Sequence, residues 1–256
     1  MRFPRLALAH ARIAGRQRAL WVVSALLALL SLSIMVNSAM PFETGNASDL
    51  AFLAQMLAFL PPLACAAACT DLASAPSRLG VGEIEDAAPV AAMTLTAARV
   101  AGAFAVLALP SFALLLFCGF GQLAHGNPWG PLQAATLFAS VAAPAALLAM
   151  ALSALVGTVL PKALARIVAA VGWLAALVPL SFVGEPTAGG GIQFHIAADS
   201  VCQAFFGCPP LLDAVSAAAP ATPLVAIALL VTKLALVAGL LVVASVIARH
   251  RSFKRG

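Results

Sequence analysis

Glu83, Glu85 and Asp86 form the densest cluster of acids in a chain where 9% of residues are charged and 63% are hydrophobic. Closely spaced carboxylates perform acid–base chemistry when a histidine, a nucleophile or a metal ligand stands beside them. Their neighbours here are Gly82, Ile84, Ala87, Ala88 and Pro89, so the chemistry left to them is to present negative charge to a basic surface on another protein. The chain contains no His-Glu-x-x-His pattern, no Gly-x-Ser-x-Gly elbow and no nucleotide loop, and its histidines are scattered. No catalytic residue and no metal site is assigned, and no cofactor is expected on this chain.

Lys233 is the second residue that demands an explanation. It lies inside a long apolar run, where a charge costs at least about 2.5–3.5 kcal/mol on insertion scales. Such a lysine calls for a polar cavity, a partner carboxylate or a bundle interior, unless its stem reaches toward an interface. Pro61 and Pro62 remove backbone donors from another apolar run and predict a kink or a cavity, so they join Lys233 as candidate pathway residues. Cys65 and Cys69 are one turn apart, but without histidine or acidic companions they suit burial better than metal binding. Cys202 and Cys208 share a loop, where a disulfide and a pair of buried thiols are both open readings.

The elements that must position these residues follow from hydropathy. A chain of 256 residues with mean hydropathy +1.05 has apolar runs beyond the roughly 20 residues that cross a bilayer, which predicts an all-α polytopic membrane protein. Six transmembrane helices are expected at residues 19–40, 50–73, 100–123, 132–160, 167–184 and 224–248 of one transmembrane domain, 1–256. The formal charge of +5 does not argue for nucleic acid, because the basic residues cluster at span ends. Arg2, Arg5, Arg12, Arg16 and Arg18 precede the first span, Arg78 and Arg99 bracket the loop 74–99, Lys162 and Arg166 precede the fifth span, and Arg249, Arg251, Lys254 and Arg255 follow the sixth. That partition predicts both termini in the cytosol of a bacterial cell, in the inner membrane.

Residues 1–18 place Phe3, Leu6, His10 and Ile13 at helical spacing with Arg5, Arg12 and Arg16 on another face, which predicts an interfacial amphipathic helix; a basic tail is the alternative. The apolar run that follows is too long for a cleaved signal peptide. The outer segment 185–223 includes Leu211 to Ala219, too short to cross but able to enter one leaflet as a re-entrant helix before the last span.

This arrangement resembles the ABC type-2 transporter permease family over nearly the whole chain. Its most specific local part is Gly82-Glu83-Ile84-Glu85-Asp86-Ala87-Ala88-Pro89-Val90 followed by Arg99, where Ala87 and Ala88 replace the bulkier apolar residues usual in the family. The resemblance implies that Gly82, Glu83, Glu85, Asp86, Pro89 and Arg99 belong to a coupling helix docked on an ABC ATPase subunit. ATP and magnesium would then bind that partner, present in two copies, and a second permease subunit, identical or related, would complete the pathway of an exporter. Two other classes stay open: an ATP-independent secondary transporter or channel using Lys233 and the proline-broken helices, and an intramembrane enzyme or assembly factor.

Overall fold

The computed structural model describes residues 3–37, 41–72, 91–177, 199–208 and 222–253. Among them every regular element is helical. They are α1 (Phe3–Arg16), α2 (Arg18–Val36), α3 (Ala47–Phe59), α4 (Pro61–Ala68) and a 3-10 turn at Cys69–Asp71. After residues 73–90 come α5 (Ala92–Leu107), α6 (Leu109–Leu123), α7 (Gly130–Leu137), a π segment at Phe138–Ala142 and α8 (Ala143–Val159). Then follow α9 (Lys162–Leu177), α10 (Ser200–Phe206) and α11 (Pro223–Phe253).

Four of these stretches are long and apolar enough to cross a membrane: Arg18–Val36, Ala47–Asp71, Gly130–Val159 and Pro223–His250. A fifth forms if α5 and α6, bent by 45° at their junction, count as one span. The chain is thus a membrane-embedded helical protein. The helix expected at residues 167–184 begins earlier, at Lys162, and its described part, α9, has 16 residues. The helix that enters the expected span 100–123 starts at Ala92, because nothing between the two positions interrupts helical geometry.

Prolines set the breaks. Pro61 and Pro62 cannot donate to Leu57 and Ala58, so α3 ends at Phe59 and the Leu63 amide turns back to Leu60 O at 3.0 Å. Phe59 O then accepts from Trp173 Nε1 of α9 at 3.1 Å. Pro110 breaks the helix after Leu107, whose carbonyl accepts from the buried Ser24 hydroxyl of α2 at 2.6 Å. Pro144 follows the π segment, where the wider turn accommodates a ring that would clash with the carbonyl four residues back. The three breaks converge on one small cavity lined by Leu57, Pro61, Ala108, Ser111, Phe138 and Ala142, among others.

Small side chains bring the helices together, as expected where lipid supplies no hydrophobic drive. Along α2 the buried positions are Ser24, Ala28, Ser31 and Met35. Ser153 of α8 donates to Ala66 O of α4 at 2.6 Å, and Gly157 lies against the Thr70 carbonyl so closely that no Cβ fits. The large apolar residues Ile227, Val231, Leu234 and Val246 of α11 stay exposed, as a face toward hydrocarbon requires.

At the end where α3 begins, Gln122 gathers two turns: its Nε2 donates to Pro41 O at 2.7 Å and to Asn46 O at 2.8 Å. Its Oε1 accepts from Asn127 Nδ2 at 2.7 Å.

Candidate functional site

Lys233 occupies the middle of the buried stripe Ala226, Lys233, Val237, Leu241 and Ala244 of α11. That stripe turns it into the bundle, so its stem does not reach for an interface. Its ammonium group donates to Oδ2 of Asp199, with 8% of Lys233 and 2% of Asp199 exposed. Of the settings open to it from the sequence, Lys233 thus has a bundle interior and a partner carboxylate, from the segment before the last span.

Asp199 is placed by local rules. It has extended backbone, φ −69° and ψ 123°, and its Oδ1 accepts from the Val201 amide at 2.8 Å, the geometry of an N-cap. Gly207 ends α10 in the left-handed region at φ 61°, and the Cys208 amide returns to Cys202 O at 3.1 Å. One carboxylate thus starts the short helix with one oxygen and holds Lys233 with the other.

The same short helix meets α3. Cys202 Sγ donates to Ala51 O at 3.5 Å, and Gln55 Nε2 donates to Cys208 Sγ at 3.2 Å. Cys202 and Cys208 are both buried. Burial raises the Cys202 thiol well above its ordinary value, and the Asp199 charge adds to this. Cys208 is pushed up to about 12, first by burial and then by the charges of Asp49 and Asp199. The stretch Leu211 to Ala219, expected as a re-entrant helix, lies outside the described residues, whereas Asp199, Ser200, Val201, Cys202 and Cys208 are buried.

Gly82, Glu83, Glu85, Asp86 and Pro89 also lie outside the described residues. Arg99, expected at the opening of the third span, is the residue of that group that the structure describes. It sits within α5, 7% exposed, with Nη1 donating to Leu72 O at 3.4 Å. Nearby in the chain, Asp71 pairs with Lys162 at 2.6 Å and Arg166 at 3.6 Å, tying the end of the second apolar helix to the start of α9. These pairs are partly exposed and stabilise little individually.

The N-terminal helix is not limited to lipid contact. Leu6, Ala7, His10, Ala11 and Ala14 are its half-buried residues, and at Gly102 of α5 an added Cβ would stand 2.5 Å from Ala7 O. Backbone-to-backbone approach of this kind needs glycine. Arg5, Arg12 and Arg16 remain exposed, and so does Ile13 at 56%.

Pro61 lines the cavity at the helix breaks, but Lys233 is absent from that lining, so the candidate pathway residues do not converge on it. Asp199, Gln55 and Trp173 escaped the sequence reading. For Asp199 the available signal was an aspartate opening a short run closed by Gly207, a cap pair inside the segment 185–223. Comparison of the chain with protein-family models and with curated proteins finds no match.

Proposed function

We propose that this chain is the permease subunit of an ATP-driven transporter of the ABC type-2 kind, most simply an exporter working in a bacterial inner membrane with both termini cytosolic. The carrying observation is α1 seated on α5 through Gly102, because α5 is the helix that follows the acid-bearing loop. A displacement applied to residues 82–89 by a partner would enter α5 directly and carry α1 with it. Six spans, counting α9 and the bent α5–α6 pair, and a second permease copy would complete the pathway. ATP and magnesium belong to the partner ATPase.

The test is purification of the chain from its native membrane and identification of a bound ATPase. Charge reversal of Glu83, Glu85 and Asp86 together should release that ATPase or uncouple its turnover from transport. An ATPase that stays bound and fully coupled would refute the docking role.

The buried pair of Asp199 and Lys233 favours a second reading, an ATP-independent transporter in which the pair exchanges partners with cargo or ion. Flux across vesicles containing the purified chain alone would support it.

A further inference from the structure

A carbonyl that loses its helical donor at a proline break within a membrane turns to a neighbouring helix, a hydroxyl side chain or an ordered water. Phe59 O and Leu107 O use side chains of other helices, Trp173 and Ser24. Leu57 O is a third case. Leu60 keeps helical backbone at φ −80° and ψ −53°, so the position that would serve Leu57 O is Pro61, which has no N–H.

Leu57 and Pro61 line the cavity between the helix breaks, and Ser111 of α6 lines it from another helix. Ser111 is 4% exposed, and among the described residues its hydroxyl has no hydrogen-bond partner. The cavity gives the centre of a water molecule about 10 Å³, where one water needs roughly 10–15 Å³ on that measure. It is too small for a larger guest. Phe138, whose ring centroid is 4.8 Å from that of Phe112, supplies an apolar wall, as do Ala142 and Ala146.

We propose that one resident water occupies this cavity, donating to Leu57 O and bonding the Ser111 hydroxyl, so that the α3–α4 break and the α5–α6 break share it. A purely apolar cavity would stay dry; a hydroxyl and a carbonyl without its helical donor are what hold a water. They supply two of the two to four polar partners such a water takes, and the Cys65 thiol, on the same lining, is a weak third. Trp173 and Ser24 fix their carbonyls from one direction, whereas a water turns to keep both of its partners bonded when the angle between two helices changes.

The inference is independent of the energy source of transport, so its test needs neither an ATPase nor a cargo. A crystal or cryo-EM map of the full-length chain that resolves ordered water should show a peak within about 2.5–3.2 Å of both Ser111 Oγ and Leu57 O. A map that resolves other buried waters and shows none here overturns the proposal. Unfolding in detergent gives a second reading, carried by its sign. Ser111→Ala should raise the unfolding equilibrium constant roughly tenfold, because the water loses a partner. In a dry cavity the same change removes a solitary hydroxyl, so stability that is equal or higher overturns the proposal. Pro61→Ala returns an amide to Leu57 O, and in that background Ser111→Ala should lose most of its effect. An equal loss in both backgrounds overturns the bridge. If Ser111→Ala does not fold, the map alone decides.

Discussion

The indole N–H of Trp173 donates to the carbonyl of Phe59 at 3.1 Å, replacing the amide that an unbroken helix would have supplied from Leu63. The proline pair and the tryptophan are one structural unit, although a long stretch of chain separates them. Trp173→Phe keeps most of the ring volume and leaves that carbonyl without this donor. The expected loss is about 1–3 kcal/mol, the cost of a buried polar group left unsatisfied. Thermal unfolding in detergent measures it, and an unchanged midpoint would show that the bond contributes nothing.

The pair of Asp199 and Lys233 predicts strong non-additivity. Lys233→Met alone buries an unpaired carboxylate and should cost about 3–5 kcal/mol. Lys233→Met with Asp199→Leu should recover much of this, because neither charge then remains in the bundle. Denaturation of the single and double variants gives the coupling energy; additive losses would contradict the buried pair.

Gly102 and Gly157 should tolerate no side chain, for different reasons. Gly102→Val should detach α1 from α5 while the remaining helices stay packed, exposing the bonds after Arg12 and Arg16 to trypsin. Gly157→Ala pushes α8 away from the Thr70 carbonyl, so it should lower the stability of the bundle itself, by at least about 1–3 kcal/mol. Limited proteolysis and unfolding separate the two outcomes.

Cys208 predicts a pH response. Its folded-state value of about 12 lies above the ordinary 9.0, so the folded state favours the neutral thiol. Below pH 9 both folded and unfolded chains hold the proton and stability does not change with pH through this group. Between about 9 and 12 only the unfolded chain ionises, and stability falls as pH rises. At pH 8 the native thiol should react at least about a hundredfold more slowly than in denatured protein. A matching rate in both states would place Cys208 at the surface.

Much of the architecture was legible because apolar runs and prolines act locally. The long helices follow from hydropathy, and the breaks at Pro61 and Pro110 fall where backbone donors are missing. What local pattern does not contain is the identity of remote partners. The sequence left Lys233 a polar cavity, a partner carboxylate or a bundle interior, and Glu185, Asp199 and Asp213 all precede it in the same loop. Only the fold brings Asp199 to it. Arg99 shows the same limit: the sequence marks a basic residue beside an apolar run, but not that the guanidinium is buried against the Leu72 carbonyl. The amphipathic pattern of α1 was visible, but periodicity alone does not distinguish a lipid from a helix as its apolar neighbour.

The broken ends of α3 and α5 each offer a carbonyl to a donor on another helix, Trp173 in one case and Ser24 in the other. The joint that lets a helix bend is therefore also the rivet that keeps it attached to its neighbour. Replacing a proline so that the rod straightens would return the Leu63 or Ser111 amide to that carbonyl and evict the distant donor, stiffening one helix while loosening the assembly. Rigidity along a helix and cohesion between helices are set against each other in this bundle.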